Sequence, residues 1–451
     1  MAGGLLSINR RPLYQLIESQ LVGWLEKGGW MLLLSLCFNS PISQHPSSHE
    51  PIILDSRPRE VDVCIVGGGP LGLSAAIRLK QLAQESKDHT DLRVVALGKA
   101  AQMGNNILSG AVLETWALDK LLLDWNDSEA PLKQIASLDY LMFLASNLAY
   151  PLPCPPQMKN SGKNYLISIM EGLGVKIYPG FSGLKLIYNQ DKTSIKDVIT
   201  NNSGLDQRSR SKDKFEAGME FRSKVLLLAE GYHGSQTKSV INHLDCRKGR
   251  DFQTYSLGLK KVWRVKDQVY EPGKVVHTMG WPLKKDNYSG SWMYHLEDKI
   301  VSLGLVVRLE YPNPYLSPYQ EFQRMKHHLI FKKVSEGGDC IAYGARLLKK
   351  GGYQSIPKLF FLGGALLGCM AGFLNVPKIK AKEEDSNDCL IELEDYQKRL
   401  EDSWVIQELK QIRHLRPLFN TRFGLYDGNL YSGLDSLILR DRVPWTFKHH
   451  N

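Results

Sequence analysis

Residues 61–80 read VDVCIVGGGPLGLSAAIRLK. Val61, Val63, Ile65 and Val66 make a short apolar, β-branched run, the pattern of a parallel strand buried on both faces. Gly67, Gly69 and Gly72 follow at G-x-G-x-x-G spacing. Leu73, Ala75, Ala76, Ile77 and Leu79 then repeat with a helical period. Strand, glycine turn and helix in this order give the motif its meaning. Gly67 permits the tight turn, Gly69 lets the backbone approach a pyrophosphate, and Gly72 lets the helix lie close to the strand. The free N–H groups at the helix start hold phosphate oxygens. A second strand is expected at 92–97. An acid that binds the adenosine ribose belongs at its end, but Gly98 and Lys99 stand there.

Working outward, the chain has 451 residues, more than one ordinary domain. Its net charge is +10. The basic runs RSRSKDK (208–214) and RKGR (247–250) read as solvated loops, so no nucleic-acid partner is expected. Seven scattered cysteines include no C-x-x-C pair, which argues for free thiols and against a zinc site. No apolar run reaches the roughly 18 residues that span a bilayer; the longest candidate is 30–38, WMLLLSLCF. The leader before it fits a mitochondrial transit peptide in part, with a secretory reading as the alternative. Residues 39–58 read as a linker.

Further strands are expected at 225–228, 300–309 and 360–362, an exposed hairpin loop at 200–216, and a helical stretch over 390–415. LETWALDKLLLDW (113–125) reads as a leucine-rich helix, either in the core or lying in a membrane interface. The strand at 225–228 runs into AEGYHGS (229–235), and 360–362 runs into GGALLGCMAG (363–372). These are similar to the second and third fingerprints of glutathione-reductase-type flavoproteins. Three glycine-bearing strand ends in this order suit FAD better than NAD.

Longer strings carry a closer resemblance. RLKQLA (78–83), KAAQMG (99–104), LSGAVL (108–113), VVHTMGWPL (275–283), LGLVVRLEYPNPYLSPYQEFQRMKHH (303–328), IAYGARLLKKGGYQSIPKL (341–359), GFLNVPKIK (372–380) and PWTFKHH (444–450) resemble the electron-transfer-flavoprotein:ubiquinone oxidoreductases over roughly residues 55–450. The resemblance implies an α/β fold of the glutathione-reductase type. It has an FAD-binding Rossmann-like part and an inserted β-rich quinone-binding domain. The expected division is leader and linker 1–58, FAD-binding parts 59–137, 162–249 and 353–451, and quinone-binding parts 138–161 and 250–352. The last FAD-binding part includes a membrane-facing C-terminal segment.

The family passes electrons from reduced electron-transfer flavoprotein to ubiquinone at the mitochondrial inner membrane, embedded in one leaflet as a monotopic protein. By matching motif, the resemblance implies that FAD is held by Gly67, Gly69, Gly72, Lys99, Ser109, Gly110, Glu230, Gly231, Gly364, Gly372, Phe373 and Asn375. Tyr288, Ser289, Gly290 and Gly304 match the quinone pocket. The 113–125 helix and 424–438 match the membrane-facing pieces, which favours the interfacial reading of that helix. No side chain is required as a catalytic acid or nucleophile, because flavin carries the redox chemistry.

The chain departs from the family pattern in four places. The family's [4Fe–4S] cluster needs four thiolates, and no cysteine follows Cys389, so no cluster and no metal site is expected. The ribose acid is replaced at Gly98. The helix after Tyr165 is shortened, and a charged stretch (AKEEDSND, 381–388) replaces a small-residue helix. The chain therefore reads as truncated and impaired, either a degraded paralogue or a product of missing exons. The alternative functions are a cluster-free flavin reductase or monooxygenase, and a catalytically dead membrane-associated remnant.

Overall fold

The computed structural model describes residues 58–86, 92–100, 111–127, 132–155, 158–160, 164–167, 177–206, 210–284, 287–373, 393–418, 428, 430, 431, 434, 435, 439 and 442–449. The leader, the shortened segment after Ile167, the charged stretch 381–388 and most of 424–438 lie outside them.

Strand β1 (Arg59–Val66) is buried from Val61 onward and leads through the first glycine turn into α1 (Pro70–Glu85). β1 sits in the middle of an eight-stranded sheet. Parallel β2 (Val94–Gly98) and β8 (Ile177–Pro179) lie on one side. Parallel β13 (Glu220–Leu228) and β20 (Gly364–Leu366) lie on the other, and β19 (Phe360–Phe361) closes that edge antiparallel. β9 (Gly183–Tyr188) and β10 (Ile195–Thr200) extend the outer half of β13 as an antiparallel pair. From β1 the chain winds first to β2 and later returns to β13. The topological switch point, where open α/β sheets bind ligands, therefore falls at the carboxyl end of β1. Val63, Ile65, Ala96, Leu97, Leu226 and Leu227 form the dry centre of this sheet, and α1 covers it with Leu71, Ala75, Ala76 and Leu79.

Insertions between these strands build the second sheet. β5 (Leu138–Leu144) and β6 (Ala149–Leu152) join β14 (Tyr255–Arg264), β15 (Lys274–Gly280), β16 (Ser289–His295), β17 (Ile300–Arg308) and β18 (Asp339–Lys349) in the order β18-β14-β17-β16-β15-β5-β6. One face buries Leu259, Met293, Leu303, Leu305 and Val307 against Phe322 and Met325 of α4 (Pro318–Lys326) and Phe331 and Val334 of α5 (Leu329–Ser335). Strands β3 (Ala111–Glu114), β4 (Gln134–Ile135) and β7 (Asn164–Ile167) form a small third sheet. Val112 of β3 packs with Val275 and Tyr294 of the second sheet.

The leucine-rich stretch 113–125 is not one helix. It begins as the end of β3, turns at Thr115 into a short α2 (Trp116–Leu121), and ends in a 3-10 turn (Trp125–Asp127). Pairing of Ala111–Glu114 with Asn164–Ile167 claims the first residues as strand, and ladder bonds outweigh the modest helix preference of leucine. Leu113, Leu118 and Trp125 pack together as a small core, whereas Leu123 is 89% exposed. The 200–216 segment pairs as an antiparallel ribbon, β11 (Ser203–Leu205) with β12 (Ser211–Glu216). The 390–415 stretch contains α6 (Leu393–Asp402) and α7 (Trp404–Gln411), divided at Ser403.

Candidate functional site

The three glycine-bearing turns meet at the carboxyl edge of the first sheet. Backbone bonds tie the strand ends together: Gly67 N–H to Leu97 O (2.9 Å), Ala229 N–H to Val66 O (2.8 Å) and Leu367 N–H to Leu228 O (2.8 Å). Gly67 has φ +121°, and a Cβ there would lie 2.2 Å from Ala229 O. A Cβ on Gly72 would lie 1.9 Å from Gly67 O. Both positions are therefore closed to any side chain. Gly69 differs: a Cβ there meets nothing within 4 Å. It is the N-cap of α1 and makes no side-chain cap, and Pro70 follows it at the start of the helix. The first turn thus starts beside open space at the positive end of a 16-residue helix. At the end of β2, Gly98 is buried and Lys99 exposed.

Glu230 follows β13 and is engaged by the protein itself. Its carboxylate accepts from Gln236 N–H (3.3 Å), Thr237 N–H (2.7 Å) and Thr237 Oγ1 (2.8 Å). It therefore supplies the cap that Gly234 cannot give to α3 (Ser235–His243). Burial pushes its pKa up, opposed by those hydrogen bonds and by the charge of Lys349. Gly231 beside it has φ +78° and open space where a Cβ would project. The second and third turns touch through Met370, whose sulfur accepts from Gly234 N–H (3.1 Å) and whose carbonyl accepts from Lys349 Nζ (3.1 Å). Burial, reinforced by Arg247, draws Lys349 down to about 8. Gly364 has no room for a side chain, because Leu226 O would lie 2.1 Å from its Cβ. Gly372 has φ +92° and would bring a Cβ to 3.2 Å from Gln253 Nε2. Among the described residues that nitrogen is a buried donor with no acceptor, although Gln253 Oε1 accepts from Gly351 N–H at 2.6 Å. Phe373 is buried in the first core. Ser109, Gly110 and Asn375 lie outside the described residues.

The quinone-pocket candidates sit on neighbouring strands of the second sheet. Gly290 of β16 pairs with Val306 of β17, and Trp292 pairs with Gly304. Cross-strand partners share a face, so Gly290, Trp292, Gly304 and Val306 lie on the same side, opposite the face covered by α4 and α5. Trp292 lies over Gly304, whose Cβ would come within 2.0 Å of the indole. Tyr288 precedes the strand. Burial pushes its phenol up to about 12 against the pull of Arg416, and Lys350 Nζ lies 5.0 Å from its ring centre. Ser289 is half-buried beside it. Farther along the same face, His277 Nε2 and the Tyr294 hydroxyl share a 2.8 Å hydrogen bond.

The residues missed by motif reading are Gln253, Lys260, Lys349 and Met370. The KKGG string at 349–352 is the only local hint of them. Among the described residues no cluster of three or more His, Cys, Asp or Glu side chains could hold a metal ion.

Residues 255–348, from β14 into β18, match the family model described as ETF-QO, ubiquinone-binding. The chain is 46% identical over 427 residues to a probable electron transfer flavoprotein-ubiquinone oxidoreductase of Schizosaccharomyces pombe, covering 88% of this chain and 67% of that protein. It is 41% identical to the mitochondrial electron transfer flavoprotein-ubiquinone oxidoreductase of Rattus norvegicus, covering 89% of this chain and 70% of that one. A flavoprotein/dehydrogenase of Cytophaga hutchinsonii superposes with a TM-score of 0.50 at 15% identity, over 83% of this chain and 87% of its own, which speaks for the fold alone. With this identity over two thirds or more of such relatives, and the glycine turns gathered at one sheet edge, the chain belongs to the electron transfer flavoprotein-ubiquinone oxidoreductase family.

Proposed function

We propose that this chain is a mitochondrial FAD-dependent oxidoreductase that takes electrons from reduced electron-transfer flavoprotein and delivers them to ubiquinone at the inner membrane. The observation that carries the reading is the convergence of three glycine turns on the carboxyl edge of a parallel sheet, beside a second sheet that matches a ubiquinone-binding family. The residues fit FAD: open space lies beside Gly69 at the start of α1, and Gln253 Nε2 lacks, among the described residues, an acceptor that a ligand can provide. Bound FAD would supply the ability to accept and release electrons one or two at a time.

In this reading the chain's own groups bind, orient and exclude water. The α1 amides after Gly69 neutralise phosphate charge. Gly67, Gly72 and Gly364 let backbone pack where side chains would collide. Gly231 lies against the ribityl–pyrophosphate region and Gly372 and Phe373 border the flavin ring, with Ser109, Gly110 and Asn375 assigned to the same pocket by motif alone. Lys99, exposed at the end of β2, takes the adenosine side in place of a ribose acid. Glu230 acts on the ligand indirectly, by holding the start of α3 beside the second turn. Tyr288, Ser289, Gly290 and Gly304 line the quinone face, and Trp292 gives it an apolar wall. The division into FAD-binding parts (59–137, 162–249, 353–451) and quinone-binding parts (138–161, 250–352) belongs to the same proposal.

Among the described residues no helix is long and apolar enough to cross a membrane. Exposed Leu123, Leu430 and Leu434 fit contact with one leaflet instead. The test is the visible spectrum of the purified chain with flavin release, followed by quinone-dependent oxidation of reduced electron-transfer flavoprotein. Flavin near one per chain and quinone turnover are expected. A colourless, folded protein that refuses added FAD would overturn the proposal.

A further inference from the structure

The second sheet contains a buried charge that no described residue answers. Lys260 of β14 is 5% exposed, and its Nζ has no hydrogen-bond partner among the described residues. An unpaired ammonium removed from water costs several kcal/mol. A methionine would fill the same volume without that cost. Burial accordingly draws the amine down to about 7.

Strand pairing fixes which way the side chain faces. Lys260 lies opposite Gly304 on β17 and Gly344 on β18. Its neighbours Leu257 and Leu259 pack on the helix-covered face, so Lys260 and Gly258 point to the other. That face also carries Gly290, Trp292 and Gly304. Gly258 has nothing nearer than 3.7 Å where its Cβ would project. Its cross-strand partner Arg346 extends its guanidinium to within 5.3 Å of the Tyr232 ring, in the turn after Glu230 and Gly231. Lys260 therefore stands between the strand proposed to line the quinone and the strand that borders the second glycine turn.

We propose that the Lys260 ammonium donates a hydrogen bond to a ring carbonyl oxygen of the redox ligand bound against this face, an oxygen that gains negative charge when the ring is reduced. The proposal rests on the flavin-and-quinone reading above. Both rings carry such a carbonyl. A cation whose acceptor arrives only with the ligand stabilises the reduced ring more than the oxidised one.

The test uses the full chain with Lys260→Met and Lys260→Arg. Three quantities are measured: the melting temperature without added ligand, the dissociation constant of a water-soluble short-chain ubiquinone, and the flavin reduction equilibrium. Lys260→Met is expected to melt higher than wild type, because an unpaired charge is gone. It should also lose about tenfold in quinone affinity or in the flavin reduction constant, the scale of one charge-assisted hydrogen bond. For a two-electron couple a tenfold loss is about 30 mV. Lys260→Arg should recover most of it. A loss confined to quinone affinity assigns the contact to quinone, and one confined to the flavin equilibrium assigns it to flavin. A Lys260→Met protein that binds both ligands as wild type does, or that cannot fold, overturns the role of Lys260 alone. A wild-type chain that binds neither ligand overturns the function and this role together.

Discussion

At the scale of single residues, Gly69 separates binding from folding. Gly67 and Gly72 leave no room for a Cβ, so substitutions there damage the sheet and the ligand site together. At Gly69 the φ is −80° and a Cβ meets nothing. Gly69→Ala is expected to melt within about a degree of wild type yet lose FAD affinity at least about tenfold, read by flavin retention on gel filtration. Glu230→Ala should act in the opposite sense. It strips α3 of its cap and leaves buried donors unmet, at about 2–3 kcal/mol in urea unfolding. His295 carries a pH signature. It is fully buried, its Nδ1 accepts from Glu271 N–H (3.0 Å), and burial, helped by Lys274, pushes its pKa down to about 4. Between the ordinary histidine value of about 6.5 and 4, the unfolded chain takes up a proton that the folded chain refuses. Stability therefore falls as pH falls through that window, by on the order of 3 kcal/mol. Unfolding free energies of wild type and His295→Asn should diverge as pH is lowered through it.

At the scale of elements, the first strand–turn–helix was legible because its period, its glycines and its flanks are all local. Residues 61–80 contain the whole argument. The 113–125 stretch was misread because its partner, Asn164–Ile167, is about fifty residues away and a leucine run has no period to betray a strand. Lys260 and Gln253 were invisible for the same reason: their surroundings are made by cross-strand and inter-sheet neighbours that no local pattern encodes. Glu230 was found as a site residue, but its bond to the start of α3 could be seen only once the turn had a shape. The β16–β17 pair shows how closely register is tied to packing. Gly304 is required because Trp292 occupies its side-chain space. Gly304→Ala is expected to displace the indole, cost about 1–3 kcal/mol, and shift tryptophan emission to the red.

At the scale of the whole molecule, helices from the end of the chain complete the core of the sheet that begins it. Tyr396 and Leu400 of α6, with Val405, Ile406 and Leu409 of α7, are buried in the first core, and the Tyr396 hydroxyl donates to Leu366 O (3.2 Å). Burying such side chains contributes about 1.5–3 kcal/mol each, together on the order of a domain's entire net stability. A chain ended at 392 is therefore expected to show no cooperative thermal transition by circular dichroism. The same interleaving governs the timing of synthesis. β1 is made early, but its sheet waits for β13 and then β20, whose last residue, Leu366, comes 300 positions after Val66. At about 5–20 residues per second, the nascent sheet stands incomplete on the ribosome for roughly 15–60 s. Until β20 is made, the apolar Leu226–Leu228 edge of β13 lacks its partner strand, so expression yield should respond to translation speed across the inserted second sheet more than to any single contact within it.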